Sequence, residues 1–150
     1  MPLDAMENRV LTAVLARLAT IGVSGGASAW LTVPTVREGT PADVVDPLTK
    51  PLVMLESSRT DPDQTNINVS EHGARVTNSV WLVAKDMRTV NKLKADVLRA
   101  LFAGEGALTV ALRQPVYPGE FVVRSDMRSV GRVVGELLIF VDVILTHTDP

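Results

Sequence analysis

The longest apolar run in this chain extends from Leu137 to Leu145, and Asp142 is the one charged residue within it. Its content of valine, isoleucine and phenylalanine favours a β-strand over a helix. A strand that is apolar at consecutive positions is buried on both faces, since a half-exposed strand alternates with polar residues. We therefore predict a strand over residues 136–147 inside a sheet, covered by helices or by another subunit. Asp142 then needs a partner or water.

Composition limits the class of protein. The 150 residues predict a single domain over 1–150, and 46% hydrophobic with 21% charged content is typical of an ordered soluble protein. The net charge of −2 predicts no general attraction to nucleic acid or to an anionic membrane. The apolar run is too short for a membrane helix, and Asp4 and Glu7 do not fit a secretory leader. The absence of cysteine excludes disulfides, thiol nucleophiles and zinc–thiolate sites.

Two segments have the apolar spacing of amphipathic helices. The first is predicted over residues 6–21, with Asp4 as its N-terminal cap. The second is predicted over 87–103, with Asp86 as its cap and Gly104 as its end. Each helix has one apolar face to bury.

Segments rich in β-branched and apolar residues predict six strands. They cover residues 29–36, 51–55, 74–85, 108–114, 120–124 and 136–147. Polar segments predict loops at 37–50, 57–73 and 125–134. The segment 57–73 is the most polar part of the chain, and we expect an exposed, mobile loop whose length makes it a candidate for function.

No group of residues has the spacing of a catalytic or metal site. The segment beginning at Asp61 partly matches a calcium loop, but Asn66 stands where glycine is required and His72 where glutamate is required. His72 and His147 lack further metal ligands at regular spacing. The serines show no nucleophile-elbow pattern, and the glycine-rich turn at 24–28 lacks the lysine of a phosphate-binding loop. We predict no catalytic residue, no cofactor, no metal and no enzymatic activity.

One cluster of charged residues precedes the last strand. It consists of Arg124, Asp126, Arg128 and Arg132. One interpretation is a solvated hairpin loop. The other is a polar contact surface at a subunit junction, where arginine is enriched.

The order of these elements resembles that of phage tail terminator proteins, the minor tail or tail-completion proteins of long-tailed phages. The features that carry the resemblance are the first helix, the proline-led strand 51–55 and the polar loop after it. The strand 80–84 then runs directly into the second helix, and a loop with arginine and aspartate leads into the apolar strand 137–145. The resemblance covers residues 4–147.

The resemblance implies a structural protein of the virion. Tail terminators form a ring, typically a hexamer, that caps the completed tail tube, ends its polymerisation and presents a surface to the head-side connector protein. The DNA only passes through the lumen. The implied fold class is α+β, a single mixed, mostly antiparallel β-sheet with two amphipathic helices packed on it. The implied location is the head-proximal end of the virion tail, after assembly in the host cytoplasm, with no membrane involved.

Polar residues of two predicted loops and the last strand are the candidates for the subunit or tube interface. They are Arg59, Asp61, Asp63, Arg124, Asp126, Arg128, Arg132 and Asp142. If Asp142 is buried without a partner in one subunit, we expect the partner in the next subunit. Two alternatives stay open: another head–tail joining subunit, for head closure or tail completion, and a small-ligand-binding or hydrolytic α+β domain with a cleft under the 57–73 loop.

Overall fold

The structure is a computed structural model that describes residues 6–21, 34–43, 50–56, 59–66, 71–112, 116–124 and 132–146. The helices are α1 (Met6–Leu18) and α2 (Met87–Leu112), and a short 3-10 helix covers Pro41–Asp43. The strands are β1 (Thr35–Glu38), β2 (Leu52–Leu55), β3 (Arg59–Asn66), β4 (Glu71–Ala84), β5 (Val116–Val123) and β6 (Val133–Thr146). The predicted α+β class is confirmed.

The strands form one six-stranded sheet in the order β1-β2-β4-β6-β5, and β3 also pairs with β4. Only β1 and β2 are parallel, so the sheet is mixed and mostly antiparallel, as predicted. β2 and β3 lie one after the other along the same side of β4. β2 pairs with residues 80–83 of β4, whereas β3 pairs with residues 72–77.

The apolar strand of the sequence is an interior strand of this sheet. β6 pairs with β4 along its entire length, from Glu71 opposite Thr146 to Ala84 opposite Val133, and with β5 on its other side. It begins earlier than predicted, because Val133 and Val134 belong to the strand and not to the preceding loop. The predicted final residue, His147, lies outside the described residues.

Both helices pack on one face of the sheet. Val10, Val14 and Leu18 of α1 and Val90, Leu93, Val97 and Leu101 of α2 are fully buried there, together with alternate residues of β2, β4 and β6. A smaller apolar cluster, Met54, Trp81, Val83 and Val134, lies on the opposite face. β4 is buried at every position from Val76 to Ala84, so both of its faces are shielded from solvent. The predicted burial on both faces was made for β6, where residues 134–137, 139 and 141 are buried but Leu138 and Phe140, on the face away from the helices, are partly exposed.

The first helix is confirmed, with its regular part ending at Leu18 and a turn over 19–21. The side chain of Arg17, which lies off the apolar face, joins the two helices. Its Nε atom donates a hydrogen bond to the carbonyl oxygen of Ala100 in α2 at 2.9 Å. This contact satisfies a guanidinium donor at the half-buried junction between the helices.

The second helix is longer than the sequence predicted. Asp86 caps it as expected, since its Oδ1 atom accepts a hydrogen bond from the backbone N–H of Thr89 at 2.7 Å. The helix does not end at Gly104 but continues to Leu112, so the predicted strand over 108–114 is wrong as far as residue 112. Alanine, leucine and glutamate dominate residues 103–112, and these helix formers outweigh a cost of about 1 kcal/mol per interior glycine.

The predicted loop over 57–73 is wrong at residues 59–66 and 71–73, while residues 57–58 and 67–70 lie outside the described residues. Residues 59–66 form β3 and residues 71–73 belong to β4, and the two strands pair antiparallel. The polar composition of this segment predicted a loop. Strand pairing uses backbone groups, however, and a strand at the edge of a sheet needs no apolar residues on its solvent side. The pairing is irregular between Pro62 and Asn66, where proline lacks a donor.

Two further strand boundaries differ from the prediction. The first strand covers Thr35–Glu38 and so extends into the predicted loop over 37–50; its predicted part at 29–33 lies outside the described residues. Parallel pairing with β2 holds this short, partly exposed strand in place. β5 begins at Val116 and not at residue 120, with an irregularity between Pro118 and Phe121. The predicted strand at 51–55 is confirmed as β2, with Pro51 just before it.

Candidate interaction surface on the second face of the sheet

The face of the sheet away from the helices, here called the second face, combines apolar and charged residues. The register places five residues at one level across it, one from each of β1, β2, β4, β6 and β5. They are Arg37, Met54, Trp81, Glu136 and Val122. Residues directly opposite each other on paired strands point to the same side, so this level joins an aromatic residue to charged residues.

Trp81 and Glu56 form the first polar contact on this face. The indole Nε1 donates a hydrogen bond to Oε2 of Glu56 at 2.9 Å, and Trp81 is only 6% exposed. Glu56 directly follows β2, and its backbone N–H donates to the carbonyl oxygen of Ser79 at 3.0 Å. The sheet therefore holds both the backbone and the side chain of Glu56.

Arg124 and Glu136 form the second polar contact. Nε and Nη2 of Arg124 both donate to Oε1 of Glu136, with Nε at 3.2 Å. The Glu136 side chain is 10% exposed and that of Arg124 is 41% exposed, so the carboxylate is the buried partner. The backbone N–H of Arg124 also donates to the carbonyl oxygen of Val134 at 2.9 Å. A buried carboxylate is tolerated only when it is paired in this way.

A cleft of about 450 Å³ opens beside these contacts. Its walls come from the turn after β1, the end of β2, the middle of β4 and the start of β6. They are Thr40, Pro41, Ala42, Glu56, Trp81, Arg132 and Val134. Gly39, just before the turn, has φ of 148°, a conformation that residues with a side chain rarely adopt, so glycine is needed to direct this wall.

The strand register assigns the positions of three predicted interface residues to the second face. Asp61 of β3 and Asp142 of β6 occupy the positions directly opposite Arg75 of β4, one on each side of it. Arg59 occupies the position opposite Thr77. Arg75 is an exposed residue, and its guanidinium carbon lies 5.0 Å from the ring centroid of Phe140, at cation–π distance.

The other predicted residues divide into two groups. Arg124 and Arg132 both belong to the second face, where Arg124 forms the ion pair with Glu136 and Arg132 lines the cleft. Asp126 and Arg128 lie outside the described residues, and Asp63 falls within the irregular part of β3. The structure therefore places Arg124 and Arg132 on the second face, with Arg59, Asp61 and Asp142 at positions on the same side of the sheet.

Sequence reasoning missed Glu56, Trp81 and Glu136. A signal for the first pair existed, because an indole N–H inside an otherwise apolar strand requires an acceptor when it is buried. Glu136 directly precedes the apolar run, and a carboxylate at the start of a buried strand likewise requires a cation. Only the register of β2 with β4 and of β5 with β6 identifies the partners.

Neither a metal site nor a membrane-spanning helix is found in the part of the chain that the structure describes. No three His, Asp or Glu residues of the described ranges cluster as metal ligands would. No helix among them is long and apolar enough to cross a membrane. No protein-family model matches the chain, and no curated protein matches it.

Proposed function

We propose that this protein is a structural virion assembly protein of the tail terminator kind. It forms a ring on the end of the phage tail tube, ends tube polymerisation and provides the joining surface for the head connector. The observation that carries the proposal is the fold itself: one mostly antiparallel sheet with both helices on one face and the apolar strand β6 in its interior. This is the fold class that the resemblance implies, although most of the polar loop that formed part of the resemblance is strand β3 and the start of β4.

The outer strands favour contacts through side chains over the addition of a neighbour's strand. β3 and β5 each contain a proline and an irregularity in their pairing, at Pro62 and Pro118. Proline and bulges are features that keep sheet edges from pairing with other chains. β1 has only four residues. The ring contacts are therefore proposed to use charged side chains such as Arg59, Arg124 and Arg132.

The remaining partners follow from the same role. The ring, proposed to be a hexamer, contacts the tail tube protein on one side and the head-side connector on the other. DNA passes through its lumen, and the net charge of −2 is compatible with a channel that does not grip DNA. The proposed location is the head-proximal end of the tail, after assembly in the host cytoplasm.

The test is direct. Size-exclusion chromatography with light scattering is expected to give a ring-sized oligomer, alone or after addition of tail tubes. Negative-stain images are expected to show that oligomer on one end of each tube, with tube length unchanged on further incubation with tube protein. A protein that stays monomeric and leaves the tubes growing would refute the proposal.

A neighbouring function in the same class is another head–tail joining subunit, for head closure or tail completion. The element order is compatible with it because such subunits differ mainly in their partners. Parallel pull-downs against tail tube protein and against portal-side proteins separate the two. Binding to tube protein alone supports the terminator, and binding to portal-side proteins alone supports head closure.

A function from a different class is favoured by one observation, the cleft beside Glu56. Its volume of about 450 Å³ lies within the range of about 300–1,000 Å³ that is typical of small-ligand sites. A thermal-shift screen with a metabolite panel tests this function. A saturable stabilisation by one compound class, lost on changing Trp81 to Phe, would support a ligand-binding domain over the structural role.

A further inference from the structure

The carboxylate of Glu56 is fixed in position but pairs with no cation among the described residues. It accepts one hydrogen bond, from Trp81 at 2.9 Å. The two buried carboxylates of the described core are different, since Asp96 pairs with Arg99 and Glu136 pairs with Arg124. An ionised carboxylate has about four acceptor positions, so Glu56 keeps most of its hydrogen-bonding capacity for another group.

The walls of the cleft suit the stem of a long basic side chain. The apolar part of the lining consists of Pro41, Ala42 and the largely buried Trp81 and Val134, and Glu56 provides the charge. Arginine and lysine place their methylene groups along apolar surface and their charged end at a polar group. Arginine fits best, because its planar guanidinium forms strong hydrogen bonds to a carboxylate that is already held in place.

We propose that this cleft binds an arginine side chain presented by a segment of a partner protein. Arg132 also lines the cleft, and its positive charge disfavours a run of basic residues. A lysine or arginine next to the bound arginine is therefore disfavoured. This inference does not depend on ring formation, because the cleft and both charges belong to one subunit.

The intrinsic fluorescence of the protein provides the measurement. The chain has two tryptophans, so replacing Trp30 with Phe leaves Trp81, the hydrogen-bond partner of Glu56, as the single reporter. N-acetylarginine amide is titrated into this protein, with N-acetylcitrulline amide as the uncharged analogue of the same shape. A saturable change with a millimolar Kd is expected for arginine, and binding at least tenfold weaker for citrulline. Equal responses to the two compounds, or no response to either, would overturn the proposal.

Three variants locate the binding. Glu56→Gln removes the charge and keeps an acceptor for Trp81, and should weaken arginine binding at least tenfold. Glu120→Gln, at an exposed position of β5, is the matched control and should leave the Kd unchanged. Ala42→Trp, at an exposed position of the cleft wall, blocks the cleft without changing Glu56 and should weaken binding at least fivefold. Unchanged binding in Ala42→Trp would place the arginine elsewhere and overturn the proposal, even if Glu56→Gln does not fold.

Short peptides test the neighbouring charge. The blocked peptide Gly-Arg-Gly-Gly should bind more tightly than Gly-Arg-Lys-Gly, by at least threefold, and the difference should shrink when Arg132 is replaced with Gln. Equal affinities of the two peptides for the unmodified cleft would refute the selection against a basic neighbour.

Discussion

Phe121 lies against the α-carbon of Gly135, on the face of the sheet that the helices cover. A Cβ atom added at Gly135 would lie 2.6 Å from Cζ of Phe121 and 3.4 Å from Cγ1 of Val90. Nζ of Lys94 lies 4.7 Å from the centroid of the same ring. The absence of a side chain at Gly135 is therefore what lets β5 place an aromatic ring under α2.

Replacing Gly135 with alanine should destabilise the protein. The added methyl group forces the Phe121 ring out of a packed position, and overpacking of this kind costs about 1–3 kcal/mol. Chemical denaturation measures the free energy of unfolding. The double variant Gly135→Ala/Phe121→Leu should lose less than the sum of the two single losses, because the smaller side chain frees the space. If the losses of the two single variants simply add in the double variant, the contact between Phe121 and Gly135 is contradicted.

Removing Arg124 alone should destabilise the protein more than removing both members of its ion pair with Glu136. Arg124→Met leaves a buried carboxylate without its cation, and we expect a loss of about 1–3 kcal/mol in the free energy of unfolding. The double variant Arg124→Met/Glu136→Leu should recover most of this loss, since no charge stays buried. Arg88→Met, an exposed position on α2, is the control and should change stability by less than about 0.5 kcal/mol.

The cap of α2 makes a pH-dependent contribution to stability. Hydrogen bonds from Thr89 hold the pKa of Asp86 below its ordinary value of 3.8. A carboxyl group with a lowered pKa in the folded state stabilises the protein above pH 3.8, and the contribution is lost as the pH falls through the folded-state pKa. Asp86→Asn keeps the acceptor but not the charge. The difference in unfolding free energy between the two proteins should be constant near neutral pH and shrink below pH 3.8.

A substitution at Gly104 tests whether α2 continues to Leu112, as in the structure, or ends at Gly104, as the sequence predicted. In a helix that continues to Leu112, Gly104→Ala should raise the free energy of unfolding by about 0.5–1 kcal/mol, because glycine is unfavourable inside helices. If the helix ended at Gly104, the residue would have a left-handed conformation and alanine would destabilise it. The sign of the change, from urea denaturation, decides between the two.

Asp142→Asn tests the interface proposal. We expect it to weaken the ring more than the fold, with dissociation of the oligomer at higher protein concentration and little change in the unfolding free energy of the isolated subunit. Arg75 is the residue opposite Asp142 within the same subunit. Arg75→Gln is therefore the companion variant, and an equal effect of both variants on the fold with normal assembly would refute the role of Asp142 in subunit contact.

Much of the fold could be predicted because local patterns and tertiary packing agree there. The apolar spacing of α1, the capped start of α2, and the apolar runs of β2, β4 and β6 all correspond to buried elements. The errors arose where tertiary pairing overrides composition. β3 is polar but paired with β4, and α2 passes through Gly104 because alanine, leucine and glutamate make up most of residues 103–112.

The candidate site was predictable only in part, for a physical reason. Sequence marks a residue as charged or aromatic, but a cleft depends on which residues face each other across strands. Glu56 and Trp81 are 25 positions apart and meet because β2 pairs with β4. Arg124 was identified as a contact residue, yet its partner Glu136 depends on the register of β5 with β6.

The segment that joins β2 to β3 has one residue more than the part of β4 opposite it. This extra residue decides to which side of the sheet the charged positions of β3 belong. From Leu55 to Arg59 the chain advances four positions, whereas the opposite residues on β4 go back only three, from Val80 to Thr77. Successive residues of a strand belong to opposite sides of the sheet, and this offset reverses which of them belong to which side. Odd-numbered positions are therefore on the helix-covered side at Leu55 but on the second face at Asp61. Deleting a single residue between the two strands would turn two charged positions toward the apolar core. A substitution there would leave the alternation unchanged, so the length of this segment matters more than its composition.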